Sequence, residues 1–176
     1  MKRALFLDRD GTLIIDKVYL SDPKGVELIA GAAEGLSRAR GLGYMLFLFT
    51  NQSGIGRGLH TIEDTHRVNA RMEELLGLPA PVFDGICIAP EAPGQPSDYR
   101  KPSPRFITET LGKHGLDANS CWMVGDAPAD VGAALAAGIR AAAVRTGNVA
   151  PESIPEVARG LVPVFDTFGA FAATLT

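Results

Sequence analysis

The chain has 176 residues, 46% of them hydrophobic and 21% charged, with a formal net charge of −3. That length supports one domain, residues 1–176, with a substantial core, and is short for two. The composition excludes a disordered chain, and the acidic balance argues against a nucleic-acid partner. Met1-Lys2-Arg3 looks like the start of a signal peptide, but the apolar run behind it stops at Asp8, and no stretch approaches a membrane span. Cys87 and Cys121 make no disulfide framework. The expectation is a cytoplasmic protein with no membrane partner.

Continuous apolar runs at Ala4 to Leu7, Tyr44 to Phe49, Gly85 to Ile88, Cys121 to Val124 and Ala141 to Val144 read as parallel strands buried on both faces. Helical stretches lie between them. Ala32 to Arg40 is one; Thr61 to Leu76 opens close to a capping box and is closed by Gly77. A third starts at Ser103-Pro104 and runs to about His114. Asp130 to Ala137 is stopped by Gly138. Val162 to Phe165 is expected as a last strand and Phe168 to Leu175 as a terminal helix. Strands alternating with helices define an α/β fold: a Rossmann-like, mostly parallel sheet with helices on both faces. Asp16 to Glu27 reads as a hairpin or flap. Pro90 to Pro104, with five prolines, is a stiff exposed excursion. Neither is long enough for a separate lid domain, so no large cap is expected.

The polar residues collect at the carboxyl ends of these strands, where ligands bind in open α/β sheets. The first strand ends in Asp8-Arg9-Asp10-Gly11-Thr12, the second in Thr50-Asn51-Gln52-Ser53-Gly54. The third leads through the proline-rich loop to Arg100-Lys101-Pro102, and the fourth ends in Gly125-Asp126. Carboxylates this close are costly to ionise together without a cation. Metal-assisted phosphoryl transfer uses such a set. Asp8 and Asp126 can ligate Mg²⁺, and Asp8 can attack phosphorus to give an aspartyl-phosphate. Asp10 can protonate the leaving oxygen and later take a proton from water, a role that its crowded anionic setting favours. Thr50 and Asn51 can hydrogen-bond the phosphoryl group, and Lys101 adds positive charge.

The set Asp-x-Asp-Gly-Thr, Thr-Asn, Lys-Pro and Gly-Asp-x-x-x-Asp, spanning residues 8 to 130, resembles the haloacid dehalogenase superfamily of phosphohydrolases. Residues 8–12, Thr50 to Gly58 and Arg100-Lys101-Pro102 resemble its D-glycero-D-manno-heptose 1,7-bisphosphate 7-phosphatase branch, with histidinol-phosphate phosphatases as near neighbours. The resemblance implies Asp8 as nucleophile, Asp10 as acid and base, and Asp8, the Asp10 backbone carbonyl and Asp126 as Mg²⁺ ligands. It implies Thr50 and Lys101 as phosphoryl stabilisers and Arg100 as a substrate-recognition residue. Asp16 to Tyr19 and Asn51 to Ser53 fall on substrate-contact segments, so Asp16, Tyr19, Asn51, Gln52 and Ser53 are expected to bind substrate. The expected partner is a small phosphorylated molecule, and the chain is expected to be a monomer.

Many members of that branch carry a zinc loop, Cys-x-His followed by Cys-x-Cys. Here the positions read Cys87-x-Ala89 and Ser97-x-Tyr99, and a single thiol cannot make a tetrahedral site. No structural zinc is expected. A response-regulator receiver would place its acceptor aspartate on a middle strand and has no use for Asp10. A polynucleotide end phosphatase would need more cations than this chain clusters. Asp130, in a helix first turn, has a dipole role open to it as well as a functional one. Arg57 is left open between a second phosphate and water. His60, His66 and His114 lack metal spacing and read as surface residues. Cys87, Cys121 and Trp122 read as core.

Overall fold

The computed structural model describes residues 2–176. Six strands, β1 (Arg3–Leu7), β2 (Tyr44–Asn51), β3 (Gly85–Ala89), β4 (Trp122–Gly125), β5 (Arg140–Val144) and β6 (Val164–Phe165), form one all-parallel sheet in the order β3-β2-β1-β4-β5-β6. The order reverses between β1 and β4, which opens a crevice at their carboxyl ends.

Side-chain alternation sends each strand's residues to two apolar layers. Leu5 and Leu7 join Leu46, Leu48, Val124 and Val144 on one face, under α1 (Ala32–Gly41), α3 (Ile62–Leu76) and α7 (Phe168–Ala173). Phe6, Phe47, Phe49, Met123 and Ala143 face the other way, under α4 (Arg105–His114), α5 (Pro128–Ala136) and α6 (Pro155–Ala158). Phe6 and Phe47 stack at 5.2 Å, with Phe106 of α4 edge-on at 5.9 Å to Phe6. A one-turn helix, α2 (Ser53–Gly56), follows β2.

The elements follow the sequence pattern with a few corrections. α3 has its capping box, Thr61 and Asp64 satisfying each other's backbone N–H groups, and ends on Gly77 at φ 62. α4 starts at Arg105, not at Ser103-Pro104; the Ser103 hydroxyl accepts from Arg105 N at 3.3 Å. α5 starts two residues before Asp130, at Pro128, whose ring suits a first turn. β3 is an edge strand rather than buried on both faces, with Ile86 exposed. β6 is two residues long because Pro163 has no N–H to donate, although its carbonyl accepts from Ala143 N at 3.0 Å.

After β1 the chain makes a loop, not a folded cap. Arg9 O accepts from Leu13 N and Ile14 N at 2.9 and 3.1 Å. Ile15 N and Ile29 N then donate to Glu27 O and Leu13 O, closing the base of a hairpin around a short turn at Pro23–Gly25. Among the described residues no helix is long and apolar enough to cross a membrane.

Candidate active site

The crevice between β1 and β4 collects the strand-end residues. Asp8 continues β1, its N–H donating to Val124 O at 3.0 Å, and Asp126 follows the last residue of β4; both are buried. Lys101 arrives from the proline-rich loop. Its ammonium donates to Asp8 Oδ1 and the Phe49 carbonyl, both at 2.7 Å, and forms an ion pair with Asp130 Oδ1 at 2.7 Å. Asn51, at the end of β2, fixes this approach: its Oδ1 accepts from Lys101 N at 3.0 Å and its Nδ2 donates to Lys101 O at 3.1 Å. Asn51 lines the cleft, but in this structure both ends of its amide grip the lysine backbone.

Asp8, Asp126 and Asp130 bring oxygens within 4.8 Å of one another. With Lys101 as their shared cation, the centre is left net negative. Burial pushes the Asp8 carboxyl well above the usual aspartate range, against the pull of Lys101. Burial, and then the Asp130 charge, push Asp126 up to about 6. Burial alone would lower Lys101, yet Asp130 and Asp8 outweigh it and hold the ammonium above its ordinary value. Asp130 has both oxygens engaged, one with Lys101 and the other accepting from Ala127 N at 3.0 Å. Asp8 and Asp126 are thus the carboxylates left to offer hard oxygens to a divalent cation, and the donor set fits one.

Asp10 is set apart from this cluster. The expected anionic crowd is replaced by a guanidinium: Arg9 Nε and Nη2 donate to the two Asp10 oxygens at 3.0 and 3.2 Å, and Arg9 Nη1 donates to Asn69 Oδ1 at 2.9 Å. Alternation explains it, since Asp8 and Asp10 face the crevice while Arg9 points inward and is fully buried. Gln52 Nε2 donates to Asp10 Oδ2 and Thr50 Oγ1, both at 2.8 Å, tying the two together.

Two small cavities of about 250 and 230 Å³ meet along Asp10, Asp16 and Asn51. The first holds Asp8, Lys101 and Asp126; the second is walled by Tyr19, Gln52 and Ser53. Val18 and Tyr19, at φ 49 and 58, hold strained backbone on this rim. Asp16 Oδ1 accepts from Val18 N at 2.9 Å and Oδ2 from Asn148 Nδ2 at 2.6 Å. Arg100 stands outside both cavities, its Nη1 donating to Glu91 O at 2.8 Å.

His60, read as a surface residue, is buried, its ring against Gly54. Arg9 and residues 146–148 also escaped the sequence reading. A cation flanked by two strand-end aspartates was a signal for Arg9; nothing local marks the other three.

The doubly wound sheet and the acidic centre at its switch point are those expected of the haloacid dehalogenase type. A family model described as HAD-hydrolase-like matches residues 98–170. The D-glycero-beta-D-manno-heptose-1,7-bisphosphate 7-phosphatase of Helicobacter pylori is 38% identical over 78% of this chain and 80% of its own length. Its Pasteurella multocida counterpart is 37% identical over 84% of each. The structure of D,D-heptose 1,7-bisphosphate phosphatase from B. bronchiseptica, complexed with magnesium and phosphate, matches at a TM-score of 0.84 and 28% identity, covering 98% of this chain and 97% of that one. This chain is a phosphatase and belongs to the same family as these heptose-bisphosphate phosphatases.

Proposed function

We propose that the protein removes the 7-phosphate of D-glycero-D-manno-heptose 1,7-bisphosphate, with Mg²⁺ as cofactor. The observation that carries the chemistry is the contact of Lys101 Nζ with Asp8 Oδ1 at 2.7 Å beside buried Asp126. The names of the relatives support the substrate.

Asp8 attacks phosphorus, the ester P–O bond breaks, and Asp10 delivers a proton to the leaving sugar oxygen. In the second half Asp10 takes a proton from water as that water attacks the aspartyl-phosphate, releasing inorganic phosphate and restoring Asp8. Lys101 and Thr50 stabilise the transferring group, with Lys101 set in place by Asn51 and Thr50 by Gln52. Asp8, Asp126 and the Asp10 backbone carbonyl would hold Mg²⁺, which when bound offsets the crowded charges and polarises the phosphoryl oxygens. Tyr19 and Ser53 contact substrate from the second cavity. Asp16, Asn51 and Gln52 act on the substrate side through the contacts described above, and Arg100 recognises substrate from outside the two cavities.

The chain functions as one domain, a cytoplasmic monomer acting on a small molecule and not on nucleic acid. It uses no structural zinc, since Cys87 has no Cys or His among the matching positions; one zinc per chain by elemental analysis would refute this. The decisive assay is Mg²⁺-dependent phosphate release from the α and β anomers of the heptose bisphosphate, with histidinol phosphate in parallel. Turnover of the heptose, reduced at least about 10³-fold in Asp8→Asn, is expected. Preference for histidinol phosphate would replace the substrate while keeping the chemistry.

A further inference from the structure

Three consecutive residues after β5 each touch a different part of the site, and none takes part in the chemistry above. The Thr146 hydroxyl donates to the Gly11 carbonyl at 2.6 Å. Gly147 lies directly against the Asp126 carboxylate, where any Cβ would collide with it. Asn148 Nδ2 donates to Asp16 Oδ2 at 2.6 Å. Beside Gly147, and against the same Asp126 oxygen, stands Gly11, at φ +77, where a Cβ would sit 2.7 Å from Asp126 Oδ2 and 2.9 Å from Gly147 Cα. The Asp126 carboxylate thus packs onto the junction of two glycines from different loops, and the Thr146 hydrogen bond holds those loops together.

We propose that Thr146-Gly147-Asn148 is a positioning segment of the phosphatase site. Gly147 sets the direction in which Asp126 presents its oxygens. Asn148 orients the 16–20 loop that walls the substrate cavity. Asp16 supports the second role: both of its oxygens already have protein partners, Val18 N and Asn148 Nδ2. These bonds tie Asp16 both to its own loop and to Asn148. Side chains that orient metal ligands typically change metal affinity or activity by about 10- to 100-fold when altered. A charge-assisted hydrogen bond at a partly exposed site corresponds to about a 3- to 10-fold effect.

The inference rests on the phosphatase reading and deepens it, so its test has readouts independent of turnover. Mn²⁺ affinity, measured by electron paramagnetic resonance on Gly147→Ala, is expected to fall at least about 10-fold, with circular dichroism unchanged. In the Asp126→Ala background the same substitution should lower affinity no further. If Gly147→Ala fails to fold, Thr146→Val carries the test, expected to weaken Mn²⁺ binding where Thr146→Ser does not. Unchanged Mn²⁺ affinity in a folded Gly147→Ala, or in Thr146→Val, would overturn the role toward Asp126.

For the second role, Asn148→Ala should speed amide hydrogen exchange at Val18. It should also raise KM for the heptose bisphosphate about 3- to 10-fold while leaving aryl phosphate hydrolysis within about 2-fold. Asp16→Ala should raise KM for the heptose bisphosphate by the same factor, and the double variant should add nothing. A much larger loss in Asp16→Ala than in Asn148→Ala would make Asp16 a direct substrate contact and overturn this role. Turnover of the aryl phosphate without turnover of the heptose would fail the substrate reading alone, and the exchange and Mn²⁺ measurements would still decide the segment's roles.

Discussion

Asp126 carries much of the site's electrostatics in one side chain. Its carboxyl, pushed up to about 6 by burial and the Asp130 charge, holds its proton more tightly in the folded chain than in the unfolded one, where the ordinary value is 3.8. Without a cation, the stability this contributes is complete below the unfolded value and is lost as pH rises through the folded value. A bound divalent cation must displace the same proton. The rise in Tm on saturating with Mg²⁺ is therefore expected to be larger near about pH 7.5 than near about pH 5.5. Equal shifts would count against Asp126 as a ligand. Both thiols follow the same logic of burial: Cys87 and Cys121 are each pushed up to about 11. They should react slowly with a disulfide reagent near pH 8 until the chain is unfolded, and fast reaction of the native protein would refute that reading. At this scale the sequence revealed residue types better than their partners. Asp8 and Asp126 were legible because strand ends are legible. The burial of His60 and the Arg9–Asp10 pair were not, because each depends on a neighbour brought in by folding.

Among the elements, α7 shows how a short segment is held by tertiary contacts. Six residues are too few for a stable helix in isolation. Phe168 and Phe171 are fully buried, and Phe171 packs at 5.3 Å from Trp122 and 5.4 Å from Phe165. Arg38 of α1 donates to the Ala172 and Leu175 carbonyls at 3.0 and 2.8 Å, satisfying the helix end. Phe171→Ala should cost about 3–5 kcal/mol, read as a lower urea midpoint with an unchanged m value. A loss below about 1 kcal/mol would mean the helix contributes little to the fold. Element types were legible from apolar runs and breakers such as Gly77 and Gly138. Boundaries moved where local chemistry intervened, as with Pro128 at the start of α5 and Pro163 beside β6. The burial of β3 was overestimated because a run of apolar residues does not say whether its strand lies at an edge.

At the scale of the whole molecule, a single sheet separates two apolar layers, and each strand from β1 to β5 contributes to both or is paired with one that does. Loss of either layer removes support from the other. Unfolding is therefore expected as one transition, coincident by far-ultraviolet circular dichroism and by the fluorescence of Trp122, the sole tryptophan. Separate midpoints would argue against one cooperative domain.

The order of residues along the chain was enough to settle the α/β class and the strand ends that carry the polar residues. Parallel strands place all their carboxyl ends on one edge, so linear order alone brings Asp8, Thr50 and Asp126 together. Which side chains answer one another emerges on folding. The Lys101 contact with Asp8 spans 93 residues and the Thr146 contact with Gly11 spans 135. Hydrophobic periodicity is a local property of the chain. The direction of a carboxylate depends on how loops pack against each other, as between Gly11 and Gly147, and no local pattern encodes that.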